Sequence, residues 1–285
     1  MSRLKIAIQK SGRLNESSLS LLRECGIIIP NGTGKLIAES SNFPIDILFL
    51  RDDDIPQYVH QKVADLGIVG ENVLFESRKQ VLMLKKLGIA KCRLSLAIPK
   101  DIPYTGIHFF RGKTIATSYP FMLQSWLDQY KVEAQIEEIS GSVEIVPGLG
   151  LAAGICDIVS SGSTLFSNGL KEVELVMKSE AVLIGTENIE AAKQTLLQQL
   201  LFRIDAVLSA KGKKYILLNT PNDKIEAITQ ILPGMKSPTI LPLAEKGWSS
   251  LHSVIEEDQF WDHIDELKKA GAEGILVVPI EKMIQ

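Results

Sequence analysis

The sequence predicts an α/β protein built from two lobes of similar plan around a cleft, followed by a smaller separate domain. Three observations lead to this. Short apolar runs alternate with helix-length amphipathic segments, which is the mark of mostly parallel sheets. Several of these runs end in polar loops bearing glycine or serine, and the pattern occurs twice along the chain. Past Lys211 the order of elements changes to β-α-β-β-α-β.

Residues 5–9 alternate in polarity and run into Lys10-Ser11-Gly12-Arg13. Asn15 is placed to cap the next helix, whose apolar face holds Leu19, Leu21 and Leu22 and which Gly26 ends. Lys10 and Arg13 therefore sit where a strand hands over to a helix amino end, a natural anion site. A solvated basic turn is the plainer reading. Residues 45–50 form a second strand, followed by Arg51-Asp52-Asp53-Asp54. Successive side chains do not all face one ion, so the acids read as a solvated run at a helix start. Arg51, at the strand end, is the ligand-facing group.

Residues 64–71 place an acid before an apolar strand that ends in Gly70 and Glu71. Residues 156–162 repeat that theme, and residues 113–120 echo the first strand and loop, with Thr117 and Ser118 at the end. A helix over 121–129 follows, with Met122, Trp126 and Leu127 apolar. Residues 92–99 are predicted to cross to the second lobe and 181–185 to cross back. A helix over 189–208 is predicted to pack on the first lobe. The first lobe then comprises 1–95 and 180–210, the second 96–179, and the small domain 213–285.

In that small domain, residues 215–218 are a strand and 223–232 a helix closed by Pro233-Gly234. Residues 239–243 and 248–254 form a hairpin. The segment 258–270 is amphipathic through Phe260, Ile264 and Leu267, with Lys268 and Lys269 late and Gly271 following. Residues 275–278 are the last strand, completing a ferredoxin-like order. The larger part resembles two periplasmic-binding-protein-like lobes, and that architecture alone does not imply catalysis.

With 285 residues, 45% hydrophobic and 23% charged, the chain has an ordinary soluble composition and room for two or three domains. A net charge of -3 and a pI near 5.9 argue against nucleic acid as the main partner. The three cysteines, Cys25, Cys92 and Cys156, read as reduced packing residues. His60, His108, His252 and His263 show no metal-ligand spacing. No signal peptide or membrane-length apolar stretch is evident, so no membrane partner and a cytoplasmic location are expected.

The stretch 140–170 carries the chemistry. Ile155, Ile158 and Val159 flank Asp157 in a buried-strand pattern, which stops in Ser160-Ser161-Gly162-Ser163-Thr164. Four hydroxyls and a row of backbone amides at the end of a strand suit a phosphate. Asp157 is placed to hold ribose hydroxyls, so the pair suggests a phosphorylated sugar. The plainer reading is a polar connecting turn. Gly148, Gly150 and Gly154 nearly imitate a dinucleotide fingerprint, but the last interval is one residue too long and Pro147 suggests the first turn of a helix.

The run of Glu144, Gly148, Asp157, Ser161, Gly162, Thr164 and Leu165 resembles the signature of ATP phosphoribosyltransferases. KIAIQKSGR (5–13), RDDDIP (51–56), ADLGIVGEN (64–72), CRLSLA (92–97), IATSYP (115–120), SPTILPLA (237–244) and ILVVPIEKM (275–283) support it, so the likeness covers nearly the whole chain. The extra domain makes the chain similar to the long form, which carries its own regulatory domain. The resemblance implies transfer of the phosphoribosyl group of phosphoribosyl pyrophosphate to N1 of ATP, with Mg2+, as the first step of histidine biosynthesis. It also implies feedback inhibition by L-histidine and homo-oligomers, both dimers and hexamers.

On that reading Ser160, Ser161, Gly162, Ser163 and Thr164 hold the 5-phosphate, while Asp157 and Glu144 face the ribose. Lys10, Arg13 and Arg51 neutralise polyphosphate, and Glu71, Thr117 and Ser118 line the cleft. Mg2+ arrives with the pyrophosphate. Asn219, Thr239, Ser253 and Val254 are the effector-site candidates. A non-catalytic two-lobed small-molecule sensor is the second reading, and such a sensor has no need of the phosphate bend together with Lys10 and Arg13.

Overall fold

The computed structural model describes residues 2–30, 36–232 and 237–284. It comprises two compact units, Met1–Gln198 and Gln199–Gln285. The boundary between these two units falls inside a helix.

In the first lobe the order is β1 (Leu4–Gln9), α1 (Arg13–Glu24), β2 (Ile37–Glu39), β3 (Ile45–Leu50), α2 (Ile55–His60), β4 (Leu66–Gly70), α3 (Glu71–Ser77) and β5 (Leu82–Lys86). The second lobe has β6 (Cys92–Pro99), β7 (Thr114–Thr117), α4 (Pro120–Gln129), β8 (Gln135–Glu138), β9 (Gly154–Val159), α5 (Ser163–Ser167) and β10 (Leu170–Ser179). The chain then returns through β11 (Ala181–Gly185) into α6 (Ala191–Ala210).

One sheet has the order β2-β3-β1-β4-β11-β5 and the other β10-β6-β9-β7-β8. The plans match. In the first, β3, β1 and β4 are parallel and β11 runs against β4. In the second, β8, β7 and β9 are parallel and β6 runs against β9. Each lobe thus receives one antiparallel strand just after the chain crosses from the other, as expected of periplasmic-binding-protein-like lobes.

The crossings are tighter than the sequence suggests. β6 is already laddered to both neighbours at Arg93, so the chain passes over in 88–91 and not in 92–99. It returns at Glu180, between β10 and β11. The reason is burial. Leu94, Leu96, Ala97 and Ile98 are all fully buried, which needs packing on both faces of a central strand. On one face Leu94, Leu96 and Ile98 meet Phe110, Leu123 and Trp126. On the other, Ala97 meets Val143, Val146, Ile155 and Leu165.

Two local expectations are refined. α1 starts at Arg13 after Gly12, and Asn15 is not its cap. The Asn15 side-chain amide instead donates to the Gln9 carbonyl, tying the helix back to the end of β1. Pro147 does open a helical turn, but a short 3-10 one over Pro147–Leu149. Gly26, at φ 73°, ends α1 in the left-handed conformation glycine favours. The edge strands β2 and β5 escape sequence reading because they are short and largely exposed, without a clean apolar alternation.

The second unit contains β12 (Lys213–Pro221), α7 (Ile225–Ile231), β13 (Thr239–Pro242), β14 (Trp248–Glu256), α8 (Glu257–Lys269) and β15 (Glu273–Pro279). Its sheet order is β13-β14-β12-β15, with every pairing antiparallel, the ferredoxin-like arrangement. Ile216, Leu218, Leu251 and Ile255 form its core with Ile228 of α7 and Leu267 of α8. The expected Pro233-Gly234 helix stop lies outside the described residues. Among the described residues no helix is long and apolar enough to cross a membrane. Cys25 and Cys156 are buried and Cys92 is half-buried.

Gly154 shows how tightly the second sheet is built. A Cβ there would lie 2.8 Å from the Ala97 carbonyl oxygen and 3.0 Å from the Phe110 ring. A backbone neighbour inside a ladder yields little. Gly154→Ala is expected to lower stability by about 1–3 kcal/mol, read from the midpoint of urea unfolding. An unchanged midpoint would show that the sheet relaxes freely at this point.

Candidate active site

β9 ends at Val159, and the chain turns through Ser160, Ser161 and Gly162 into α5. Gly162 has φ 83°, a left-handed conformation that a side chain would strain. The first turn of any helix leaves its amides without intrahelical acceptors. Here Phe166 is the first whose amide finds a backbone carbonyl, that of Gly162, at 3.0 Å. The Ser163 amide has only a long contact of 3.4 Å to Ser161 Oγ, and the two serine hydroxyls lie 2.9 Å apart.

This bend lines a pocket of about 310 Å³ together with Arg13, Glu144 and Asp157. Asp157 Oδ1 accepts the Ile158 amide at 2.7 Å. Burial pushes the Asp157 carboxyl above its ordinary pKa. The Ile158 amide offsets part of that rise, and the like charge of Glu144 adds to it.

Two further pockets adjoin. One, of about 280 Å³, shares Arg13, Ile158 and Ser160 with the bend and presents Leu14, Val73 and Tyr119 as apolar walls. The other, of about 520 Å³, holds Arg51, Asp52, Asp53, Glu76, Ser118 and Glu138. Asp52, Val73 and Tyr119 belong to both. The three form one continuous cleft, apolar in the middle and polar at each end.

The walls of the cleft are joined by polar contacts that the sequence does not announce. Asn72, at the start of α3, donates to the Tyr119 hydroxyl at 3.1 Å. Asn72 also exchanges hydrogen bonds with Ser179 at the end of β10, at 2.8 and 3.1 Å. The Glu76 carboxylate accepts the amides of Phe121 and Met122, each at 2.9 Å, and so caps α4 from the other lobe. Burial first, and the negative charges of Asp157 and Asp52 next, push the Tyr119 hydroxyl pKa well up, so it stays protonated. These residues reach their partners only across long sequence separations, so no local pattern signals them.

The structure brings together Arg13, Glu144, Asp157, Ser160, Ser161, Gly162, Ser163 and Thr164. Arg51 and Ser118 stand in the adjoining polar pocket, with the Ser118 hydroxyl donating to the Ile139 carbonyl at 2.6 Å. Three expected cleft residues do not line these pockets. Lys10 is exposed at the end of β1. Glu71 is buried and ion-paired with Lys86 at 3.0 Å, because the start of α3 turns it toward β5. Thr117 is fully buried, its hydroxyl donating to the Cys156 carbonyl at 2.7 Å and accepting the Tyr119 amide at 2.9 Å. It braces the turn after β7. The acidic run also differs from a simple cap. Its 3-10 turn has no side-chain cap, and Asp52 and Asp53 line the cleft.

In the second unit the face of the sheet opposite α7 and α8 carries a Tyr215, His252 and Ser250 hydrogen-bonded set, with contacts of 3.1 and 3.0 Å. The register sets Asn219 opposite Ser250, Thr239 opposite His252 and Val254 opposite Tyr215, so these three candidates share that face. Ser253 is buried on the other side. Among the described residues no group of three or more His, Cys, Asp or Glu side chains is arranged to hold a metal ion.

A two-lobed α/β cleft with a hydroxyl-and-amide bend beside a carboxylate and an arginine defines a protein that handles a phosphorylated small molecule. Comparison with known proteins makes this specific. Residues 51–206 match the family model of ATP phosphoribosyltransferase, and residues 210–282 that of the HisG C-terminal domain. The chain belongs to the ATP phosphoribosyltransferase family. It is 56% identical to the ATP phosphoribosyltransferase of Cytophaga hutchinsonii over 99% of both chains. It is 59% identical to that of Azobacteroides pseudotrichonymphae, again over 99% of both. A solved ATP phosphoribosyl transferase (HisG:HisZ) complex from Thermotoga maritima is 28% identical, with a TM-score of 0.60, covering 70% of this chain and 95% of that one.

Folding raises the pKa of Asp157, so its ionisation weakens the fold above that raised value and has no such effect below the unfolded value, about 3.9. Asp157→Asn keeps the acceptor for the Ile158 amide and removes the charge. The variant is expected to melt above the wild type at neutral pH. That advantage should fade on acidification and vanish below about pH 4. A variant that melts lower at neutral pH would show that burial is not what perturbs this group.

Proposed function

We propose that the cleft transfers the 5-phosphoribosyl group of phosphoribosyl pyrophosphate to N1 of ATP, releasing pyrophosphate, as the first step of histidine biosynthesis. The observation that carries this is the joining of the Ser160–Thr164 bend, Asp157 and Arg13 in one pocket. The amides and hydroxyls of the bend donate hydrogen bonds to the 5-phosphate oxygens. N1 of the adenine attacks ribose C1, and the bond from C1 to the pyrophosphate oxygen breaks with its electron pair leaving on that oxygen.

The ribosyl ring carries positive charge in the transition state. Asp157 and Glu144 stand where that charge develops and oppose it electrostatically. Arg13 and Arg51 balance the polyphosphates of ATP and of the leaving group. The apolar pocket walled by Leu14, Val73 and Tyr119 is suited to a planar base and adjoins the bend, so attacking and accepting atoms are held together. No covalent intermediate is required. Magnesium would enter with the pyrophosphate and neutralise charge on it as it departs, and Asp157 and Glu144 would be the hard oxygen groups of this pocket to hold the ion.

The second unit serves as the regulatory domain, taking L-histidine at the face that carries Asn219, Thr239 and Val254. We assign the protein to the cytoplasm, acting as a homo-oligomer that passes between dimers and hexamers. An effector that prefers one state of a closing cleft shifts its population.

Mixing the protein with ATP, phosphoribosyl pyrophosphate, magnesium and a pyrophosphatase should give the absorbance of the phosphoribosyl-ATP adduct. Its absence would favour a non-catalytic sensor. Thr164→Ala is expected to raise the KM for phosphoribosyl pyrophosphate by about tenfold or more through loss of a charge-assisted hydrogen bond, with far less effect on ATP. Equal losses for both would remove the phosphate from the bend. Deleting the residues after Lys211 should abolish inhibition by histidine, and inhibition that survived would place the effector elsewhere.

A further inference from the structure

We propose that Arg93 and Glu172 form a positioning pair that sets the shape of the phosphate-binding bend, acting on substrate only through the carbonyl of Ser160. The inference rests on the reading of the bend given above. Arg93 lies near the start of β6, in register with Val159, the last residue of β9. Its Nε and Nη2 donate to the two carboxylate oxygens of Glu172 at 2.7 and 2.6 Å. Its Nη1 donates to the Ser160 carbonyl at 3.1 Å. Ser95, fully buried, donates to the same Glu172 at 2.7 Å. In register, Ser95 stands directly opposite Asp157. One network therefore ties β10, β6 and β9 together, and it ends on the first residue of the bend.

Three features favour positioning over direct binding. The guanidinium is planar, and with three of its donors held by fixed acceptors it has no freedom to swing toward a ligand. Glu172 cancels its charge, and Arg93 holds the Glu172 carboxyl below the usual carboxylate range, so the pair stays ionised near neutrality. It supplies geometry and little net attraction for an anion. The register of β10 also shifts between Glu172 and Glu174, the kind of irregularity that re-aims a side chain.

The peptide plane carries the effect onward. The described chain contains no cis peptide bond. In a planar trans peptide the Ser161 N–H points opposite to the Ser160 carbonyl, so holding one end aims the other. Without the arginine, that plane is free to turn, and the row of donors after it loses its common direction. A lysine keeps the charge but has no planar fork to hold both Glu172 oxygens and the carbonyl at once.

The test uses the full-length protein and the variants Arg93→Lys, Arg93→Ala and Glu172→Gln, with Thr164→Ala as reference. KM for each substrate, kcat and melting temperature are measured for all. Both Arg93 variants are expected to raise the KM for phosphoribosyl pyrophosphate about tenfold, as misplaced binding groups do, while the KM for ATP moves less than about twofold. Glu172→Gln, which keeps an acceptor for Ser95 and Arg93, should shift the same constant in the same direction by less.

Parallel rises in both KM values would overturn the proposal, because a merely structural pair weakens the whole cleft. So would a lower melting temperature with unchanged kinetics. If the Arg93 variants do not fold, Glu172→Gln decides, a selective rise supporting the pair and no rise overturning it. If Thr164→Ala is itself unselective, the reading of the bend fails. If Thr164→Ala is selective and Arg93→Lys is not, the positioning role alone fails.

Discussion

β9 is hydrogen-bonded to β7 on one side and to β6 on the other, and the chain leaves this ladder at Val159. Everything at the site follows from that exit. A strand buried on both faces must be apolar, so the polar groups that act on ligand gather where it ends. The turn that follows must be tight enough to start a helix, which brings glycine to a left-handed position and leaves the first-turn amides without helical acceptors. Hydroxyl side chains add acceptors and donors without bulk. These unmatched donors are the ones we propose for a phosphate, and Asp157, two residues before the end of the strand, lines the same pocket.

The second lobe alone does not make a site. The base-sized pocket takes its walls from α1, α3 and β9 together, and Tyr119 connects it to the acidic end of the cleft. The lobes are held in register by hydrogen bonds between few groups. Asn72, Ser179 and Tyr119 form one cluster, and Glu76 with the amino end of α4 forms another. Such contacts are directional and individually modest.

Much of the architecture is legible in the chain because burial imposes it locally. Runs such as residues 45–50 and 154–159 have to be strands, and the doubled pattern of strand and polar loop has to produce two similar lobes. The bend was legible for the same reason, since its serines, glycine and threonine follow directly on the apolar run of β9. Glu71 and Thr117 looked alike from the sequence, as polar residues near strand ends. Their side chains go elsewhere, one to Lys86 and one to the Cys156 carbonyl, because neighbouring strands offer partners that sequence spacing does not reveal. Asn15 likewise satisfies a strand carbonyl and not the helix start.

What the sequence by itself determined is the class of each segment and the hydroxyl-rich bend after β9, since both depend on contacts within a few residues and on simple apolar periodicity. What only the tertiary structure decided is which polar groups face the cleft and which brace it. Arg93, Glu172, Asn72 and Glu76 acquire their parts from groups 45 to 107 residues away, as the Arg93–Glu172, Asn72–Ser179 and Glu76–Phe121 pairs show. A hydrogen bond is directional and short, so its partner is set by how the strands and helices are placed in space, and no reading along the chain supplies that.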